Sequence, residues 1–228
     1  MKKTMLLARK LWMLPIFCLA INSQACSPRQ DGTRVGSQTE KLKAKALDST
    51  RTEDETTATD YLKIGDTLQF NNETYHLRWS AHPTNPYYTQ EYFPQGETPE
   101  SYHQMFTVSV HYGEEITPKL AVEAKVQELN LRKLTDACCN YKVINNGDDY
   151  LIDFLVSQKD EKNPELLSIV EFDVHVYRQV TINGRKALKL DFYSHRAYGE
   201  DIMPFLQNLT ETRAKTIVEM GKTDIQCH

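Results

Sequence analysis

Residues 171–196 read EFDVHVYRQVTINGRKALKLDFYSHR, and this stretch decides the fold. Apolar and polar residues alternate on both sides of Asn183-Gly184, which is the pattern of two half-buried strands. An Asn-Gly pair tolerates the positive φ angles of a type I′ turn, so the stretch predicts a tight β-hairpin. Because so short a turn leaves no room for a crossover helix, the two strands must be antiparallel.

The same alternation recurs in other parts of the chain. It is found at Tyr75, Leu77, Trp79 and Ala81, at Phe106, Val108, Val110 and Tyr112, and at Ile152, Phe154 and Val156. A further turn at 145–149 follows a strand near residues 141–144. Helical spacing of apolar residues appears at 118–134 and 200–220. We therefore predict an α+β domain, with an antiparallel sheet of about five to seven strands and two main helices packed on it.

The hairpin also carries two rows of polar side chains. The rows are Glu171, Asp173, His175 and Tyr177, and Lys189, Asp191, Tyr193 and His195. If both rows share one surface, two imidazoles and two carboxylates meet there, a set suited to a metal or to acid–base chemistry. The alternative is an ordinary exposed sheet face, and no HExxH or Cys/His motif favours a metal. We predict Asp173, His175, Asp191 and His195 as binding residues, with no catalytic residue, metal or cofactor.

A second candidate binding surface is the aromatic segment at 87–97. Together with Trp79, its residues Tyr87, Tyr88 and Tyr92 would line a groove for a peptide or a sugar. The alternative is that these rings cover the end of the core or an edge strand. The chain has neither a Gly-x-Ser-x-Gly elbow nor a Gly-rich phosphate loop, which disfavours a common hydrolase or a nucleotide enzyme.

The amino-terminal 25 residues have the three regions of an export signal. The cations Lys2, Lys3, Arg9 and Lys10 precede the apolar run at 11–21, and Ser23-Gln24-Ala25 supplies small residues before Cys26. The apolar run is shorter than the roughly 20 residues that a permanent membrane span needs. We therefore predict a cleaved signal peptide at 1–25.

The residues around Cys26 resemble the lipobox of Gram-negative bacterial lipoproteins, although that family usually has Leu where Ser23 stands. The resemblance implies that Cys26 carries fatty acyl chains such as palmitate, which anchor the protein to a membrane. The expected place is the outer membrane, facing the periplasm. Ordinary signal peptidase cleavage before Cys26 is the alternative, and it would release a soluble secreted protein.

Residues 26–60 contain few large apolar side chains, so we predict a disordered tether there and one globular domain at 61–228. Removal of the four cations of the signal leaves 23 basic against 31 acidic residues, and the net charge changes from −4 to −8. This balance disfavours nucleic acid as a partner, since nucleic acid requires clustered cations.

Three further cysteines remain: Cys138, Cys139 and Cys227. In an oxidising compartment one of the adjacent pair would bridge to Cys227, and the alternative is a redox-active pair, which lacks a C-x-x-C motif. The order of strands and helices is similar to that of the Mog1/PsbP-like α/β/α sandwich, a group of small binding and assembly proteins.

These features predict a membrane-tethered protein that binds a protein, peptide or glycan and does not catalyse a reaction. One alternative is a periplasmic metal-assisted or acid–base enzyme that uses the 171–196 hairpin. Another is an immunity or inhibitor protein against an envelope toxin, for which a small acidic protein is suited on charge grounds.

Overall fold

A computed structural model describes residues 58–228. The predicted signal peptide, the lipidation site Cys26 and nearly all of the predicted tether lie outside the described residues. Near the start of the described residues, the backbone N–H of Thr59 donates to the Ser80 hydroxyl at 2.9 Å. Asp60 follows, and its carboxylate accepts from the backbone N–H groups of Ile64 and Gly65.

The described chain forms eight strands and two α-helices. The strands are β1 Thr67–Phe70, β2 Glu73–Thr84, β3 Tyr87–Pro94, β4 Gln104–Tyr112, β5 Asn140–Asn146, β6 Asp149–Lys159, β7 Leu167–Ile182 and β8 Arg185–Tyr198. The helices are α1 Pro118–Arg132 and α2 Ile202–Lys222. A single 3-10 turn, Gly199–Asp201, leads into α2.

All eight strands belong to one antiparallel sheet with the order β1-β2-β3-β4-β8-β7-β6-β5. The sheet consists of two four-stranded meanders, β1–β4 and β5–β8. Helix α1 carries the chain from the end of the first meander to the far edge, and the second meander then returns until β8 pairs with β4. The α+β class is thus observed, but the predicted count of about five to seven strands is wrong.

Two of the eight strands were not predicted from the sequence, for different reasons. Strand β1 has only four residues, too few to establish an alternating pattern. Strand β3 lies between β2 and β4, and its residues 89–93 are all buried on both faces of the sheet. A strand covered on both faces does not alternate between polar and apolar residues. The sequence of β3 therefore indicated a binding groove and not a strand.

Both predicted hairpin turns are present. In the β7–β8 turn, Asn183 and Gly184 have φ angles of 50° and 76°, the two positive values of a type I′ turn. In the β5–β6 turn, Gly147 has a φ of 71°. The unpredicted β1–β2 turn uses Asn71 and Asn72, also with two positive φ angles.

The helices pack on opposite faces of the sheet, which gives three layers. Thr117 caps the start of α1, and Pro118 occupies its first turn. The apolar side of α1 packs on alternate residues of β6, and the cluster includes Ala121, Val122, Leu129, Ile152, Phe154 and Val156. Helix α2 packs on the other face, in a cluster that includes Ile202, Phe205, Met220, Phe172, Val174 and Tyr193.

We predict that Gly184→Ala lowers the free energy of unfolding by about 1 kcal/mol, because a side chain at a left-handed backbone position is strained. The measurement is the midpoint of urea-induced unfolding of the folded part, residues 58–228, in the mature protein. Gly221→Ala is the matched control, since Gly221 lies in α2 and has open space around its Cα. Alanine favours helix, so this control should not lose stability. Equal losses in the two variants would contradict the assigned turn.

Candidate functional site

The register of the central hairpin separates the two predicted polar rows. Ile182 pairs with Arg185 across the two-residue turn, so odd-numbered residues of β7 lie opposite even-numbered residues of β8. His175 is therefore beside Phe192, and not beside a member of the second row. Asp173 and His175 face α1, whereas Asp191 and His195 face α2. The predicted meeting of two imidazoles and two carboxylates does not occur.

Asp191 belongs to a buried ion-pair network on the α2 face. Its carboxylate lies 2.7 Å from the Arg178 guanidinium and 3.3 Å from the Lys189 ammonium. Lys189 also donates to the Asp224 carboxylate at 2.6 Å and to the Ile225 carbonyl at 2.7 Å. Burial raises the pKa of Asp191 to about 6 even with two cations beside it. The network fastens the carboxyl-terminal segment to the sheet, which is a structural role.

His195 has a packing role on the same face. Its ring contacts the edge of the Phe205 ring of α2, with 4.9 Å between the centroids. Burial lowers the pKa of His195, so the neutral imidazole is favoured.

On the opposite face, a cavity of about 50 Å³ lies between α1 and the sheet. That volume has room for a few water molecules but not for a larger ligand. Its polar lining consists of Tyr102, Lys125, Glu128, Arg132, Glu171, Asp173 and His175. The predicted residues Asp173 and His175 are therefore neighbours in one small enclosed site.

One side of this cavity is a satisfied network. The Arg196 guanidinium donates to the Glu171 carboxylate and, at 2.6 Å, to the Tyr102 hydroxyl. The Tyr102 hydroxyl in turn donates to the same carboxylate at 3.1 Å. Glu171 is 2 % exposed, so this network compensates a buried charge.

Asp173 and His175 are less completely paired. Each side chain has one buried atom without a hydrogen-bond partner within the described residues, Asp173 Oδ1 and His175 Nε2. His175 Nδ1 lies 3.0 Å from the Tyr177 hydroxyl. Burial and the nearby Glu171 carboxylate raise the pKa of Asp173 well above its usual range, and burial lowers that of His175. Both shifts favour the uncharged forms.

The aromatic residues proposed from sequence also lie on different faces. Trp79 and Tyr87 are on the α1 face, since their positions align through β4 with Phe192 and Leu188 of β8. Tyr88 and Tyr92 are on the α2 face. Tyr92 is fully buried, and its hydroxyl donates to the Gly65 carbonyl at 3.2 Å, so it is a core residue.

Tyr88 is part of a continuous aromatic surface that we call the aromatic ladder, formed by Tyr61, His82, Tyr88, Tyr112 and Arg185. The His82 and Tyr88 rings are stacked, with centroids 4.0 Å apart and planes at 6°. Tyr61 lies 5.9 Å from His82, and Tyr112 lies 5.8 Å from Tyr88. The Arg185 guanidinium lies 4.2 Å from the centre of the Tyr112 ring.

The aromatic ladder crosses four neighbouring strands, β2, β3, β4 and β8. Since strands are about 4.8 Å apart, this surface is about 15 Å long. Tyr61 is 39 % exposed, His82 and Arg185 are exposed, and the other two rings are half-buried. Four of its five members were missed in the sequence, because only the strand register brings these distant positions together.

The three cysteines are free, and the predicted bridge to Cys227 is not formed. Cys139 packs with α1, where its thiol contacts the Leu129 carbonyl. Cys227 packs against the cluster on the α2 face. The sheet lies between them, and burial raises the pKa of the Cys227 thiol to about 12.

Two further observations concern the described part as a whole. From residue 58 to residue 228, no three His, Cys, Asp or Glu side chains are grouped so that they could hold a metal ion. Neither of the helices in this range has the length and apolarity that a membrane crossing requires.

We predict that Asp173→Asn changes how stability depends on pH. Because the pKa of Asp173 is raised in the folded state, proton binding contributes stability that is fully present below the unfolded Asp pKa of about 4. This contribution is lost as the pH rises through the folded-state pKa. The uncharged variant should therefore gain stability relative to the wild type between pH 4 and pH 8, as measured by urea unfolding. Asp148→Asn, in an exposed turn, is the control. If the difference in the free energy of unfolding between the variant and the wild type stays constant over this range, a buried Asp173 with a raised pKa would be contradicted.

Comparison with known proteins gives one match. A protein-family model matches residues 62–225, which include all eight strands and both helices. No curated protein and no solved structure matches the chain significantly. Because the matched region is most of the chain, the protein belongs to the family that this model defines.

Proposed function

We propose that the protein is a lipid-anchored protein of the cell envelope that acts by binding a glycan chain at the aromatic ladder. The observation that carries this proposal is the continuous row of four exposed or half-buried rings from Tyr61 to Tyr112, with the Arg185 guanidinium over the last ring. Fully buried rings serve packing, but the stacked pair of exposed His82 and half-buried Tyr88, with centroids 4.0 Å apart, offers flat apolar area to an outside ligand.

The shape and polarity of the aromatic ladder favour a chain of sugar rings. The surface is open and elongated, with a length of about 15 Å across four strands. Sugar rings have flat apolar faces that stack on aromatic side chains and hydroxyl groups that need partners at the edge. Tyr hydroxyls, the His82 imidazole and the Arg185 guanidinium supply such partners here. The net charge of −8 after removal of the signal disfavours a dense polyanion such as nucleic acid.

The binding test is co-sedimentation of the mature chain with purified peptidoglycan sacculi. We expect the wild type to sediment, and the double variant Tyr61→Ala with Tyr88→Ala to bind about 5- to 150-fold more weakly, because each lost stacking contact removes about 0.5–1.5 kcal/mol. Tyr61→Phe with Tyr88→Phe is the matched control, since it keeps both rings.

Equal sedimentation of the Ala and Phe variants would remove the aromatic ladder from the binding site. A wild type that stays in the supernatant would overturn the glycan as ligand. Capture of a protein by a photo-cross-linker placed at position 82 would then assign the surface to a protein partner.

The anchor is tested separately by metabolic labelling with palmitate in a Gram-negative host. We expect the full-length chain to be labelled and Cys26→Ser to remain unlabelled, since that thiol is the proposed acylation site. Cys138→Ser is the control and should label like the wild type. An unlabelled wild type, or purified protein that retains residues 1–25, would contradict the anchor.

An acid–base enzyme is the second candidate, and the unpartnered atoms of Asp173 and His175 are the observation in its favour. These two groups would have to act without Asp191 and His195, which lie across the sheet. Their cavity of about 50 Å³ is too small for a substrate unless α1 moves. Binding at the aromatic ladder requires no such movement.

A further inference from the structure

The second meander ends at an open edge of the sheet. Within the described chain β5 pairs with β6 alone, and its seven residues make it longer than the other edge strand, β1, which has four. Natural edge strands are usually protected by short length, prolines, bulges, charged side chains or a covering element. Strand β5 reads NYKVINN, with a single charge at Lys142, and its pairing with β6 has no irregularity. Its outer backbone groups are therefore available to another strand.

An apolar groove lies beside this edge on the α1 face. Its volume is about 350 Å³, and its apolar lining comes from Val122 and Val126 of α1, Val143 of β5 and Tyr150 of β6. Val143 is 38 % exposed although its side chain faces α1. An open strand edge and an exposed apolar side chain thus occur at the same place.

We propose that this edge is the interface between two copies of the chain, whose β5 strands pair antiparallel about a two-fold axis through Val143. The sequence of β5 suits this symmetry, because polar residues occupy both ends and the apolar residues Val143 and Ile144 lie near the middle. A closed two-fold contact requires one surface patch to complement itself. A foreign strand would require no such symmetry.

The register of the proposed pairing follows from the charge of Lys142 and from the alternation of side chains between the two faces of the sheet. Antiparallel partners must point to the same face, so the axis has to pass through a residue and not between two residues. An axis at Lys142 would place two ammonium groups opposite each other, which is destabilising. An axis at Val143 pairs all seven residues, with Lys142 opposite Ile144 of the second copy. Centring on Ile144 would leave part of the strand unpaired.

The test is disulfide trapping of mature Val143→Cys. We expect a covalent dimer under mild oxidation, because the axis brings the two Cα atoms to within about 4.5–5.5 Å, which a disulfide spans. Lys142→Cys is the matched control on the same exposed strand. Its two copies would be about 8 Å apart, beyond disulfide reach, so it should link no more than the wild type with its native cysteines.

Analytical ultracentrifugation gives an independent readout of the same chain. We expect a wild-type dimer at micromolar concentration, and a shift to monomer in Val143→Asp, where two carboxylates would meet on the axis. Asn145→Asp adds the same charge on the same face away from the axis and should remain dimeric. A monomeric wild type, or a dimer that Val143→Cys does not trap, would overturn the proposal. Neither result bears on glycan binding by the aromatic ladder.

Discussion

The pairing of β4 with β8 is the constraint on which the rest of the structure depends. These strands are far apart in sequence, yet their nine paired positions join the two meanders into one sheet. Both candidate sites cross this junction. The cavity under α1 uses Met105 of β4 and Phe192 of β8, and the aromatic ladder passes from Tyr112 of β4 to Arg185 of β8. Without this pairing the cavity would lose the β4 part of its lining, and the aromatic ladder would lose Arg185.

Both faces of the sheet bury aspartates that are only partly paired. On the α2 face, Asp191 and Asp153 are fully buried and have arginine partners, Arg178 and Arg213 respectively, but each also has one oxygen without a hydrogen-bond partner within the described residues. On the α1 face, Asp173 keeps an unpartnered oxygen beside a small cavity, and Lys125 of α1 is itself buried at the interface. A partly paired network weakens a core. Because such groups occur under both helices, they do not make one helical layer firmer than the other.

The proposed functions fit together in one arrangement. A two-fold axis through β5 would be perpendicular to the sheet, so both aromatic ladders would lie on the same face of the pair. Neighbouring strands are about 4.8 Å apart, so the distance from the axis to β3 in each copy places the two aromatic ladders about 50 Å apart. A long polymer could then occupy both, and linked binding sites gain affinity without any new contact. A lipid anchor on each chain would hold the pair close to a membrane.

The sequence by itself determined the α+β class, the central hairpin, both helices and the choice of Tyr88, Asp173 and His175 as residues of interest. These features follow from local spacing and from the φ angles that Asn183-Gly184 allows. The tertiary structure alone decided which side chains meet. It added β1 and β3, separated Asp191 and His195 from the cavity, kept Cys139 away from Cys227, and joined Tyr61, His82, Tyr112 and Arg185 to Tyr88. The physical reason is that strand register fixes the face of every side chain, and pairing between distant strands is not encoded in local periodicity.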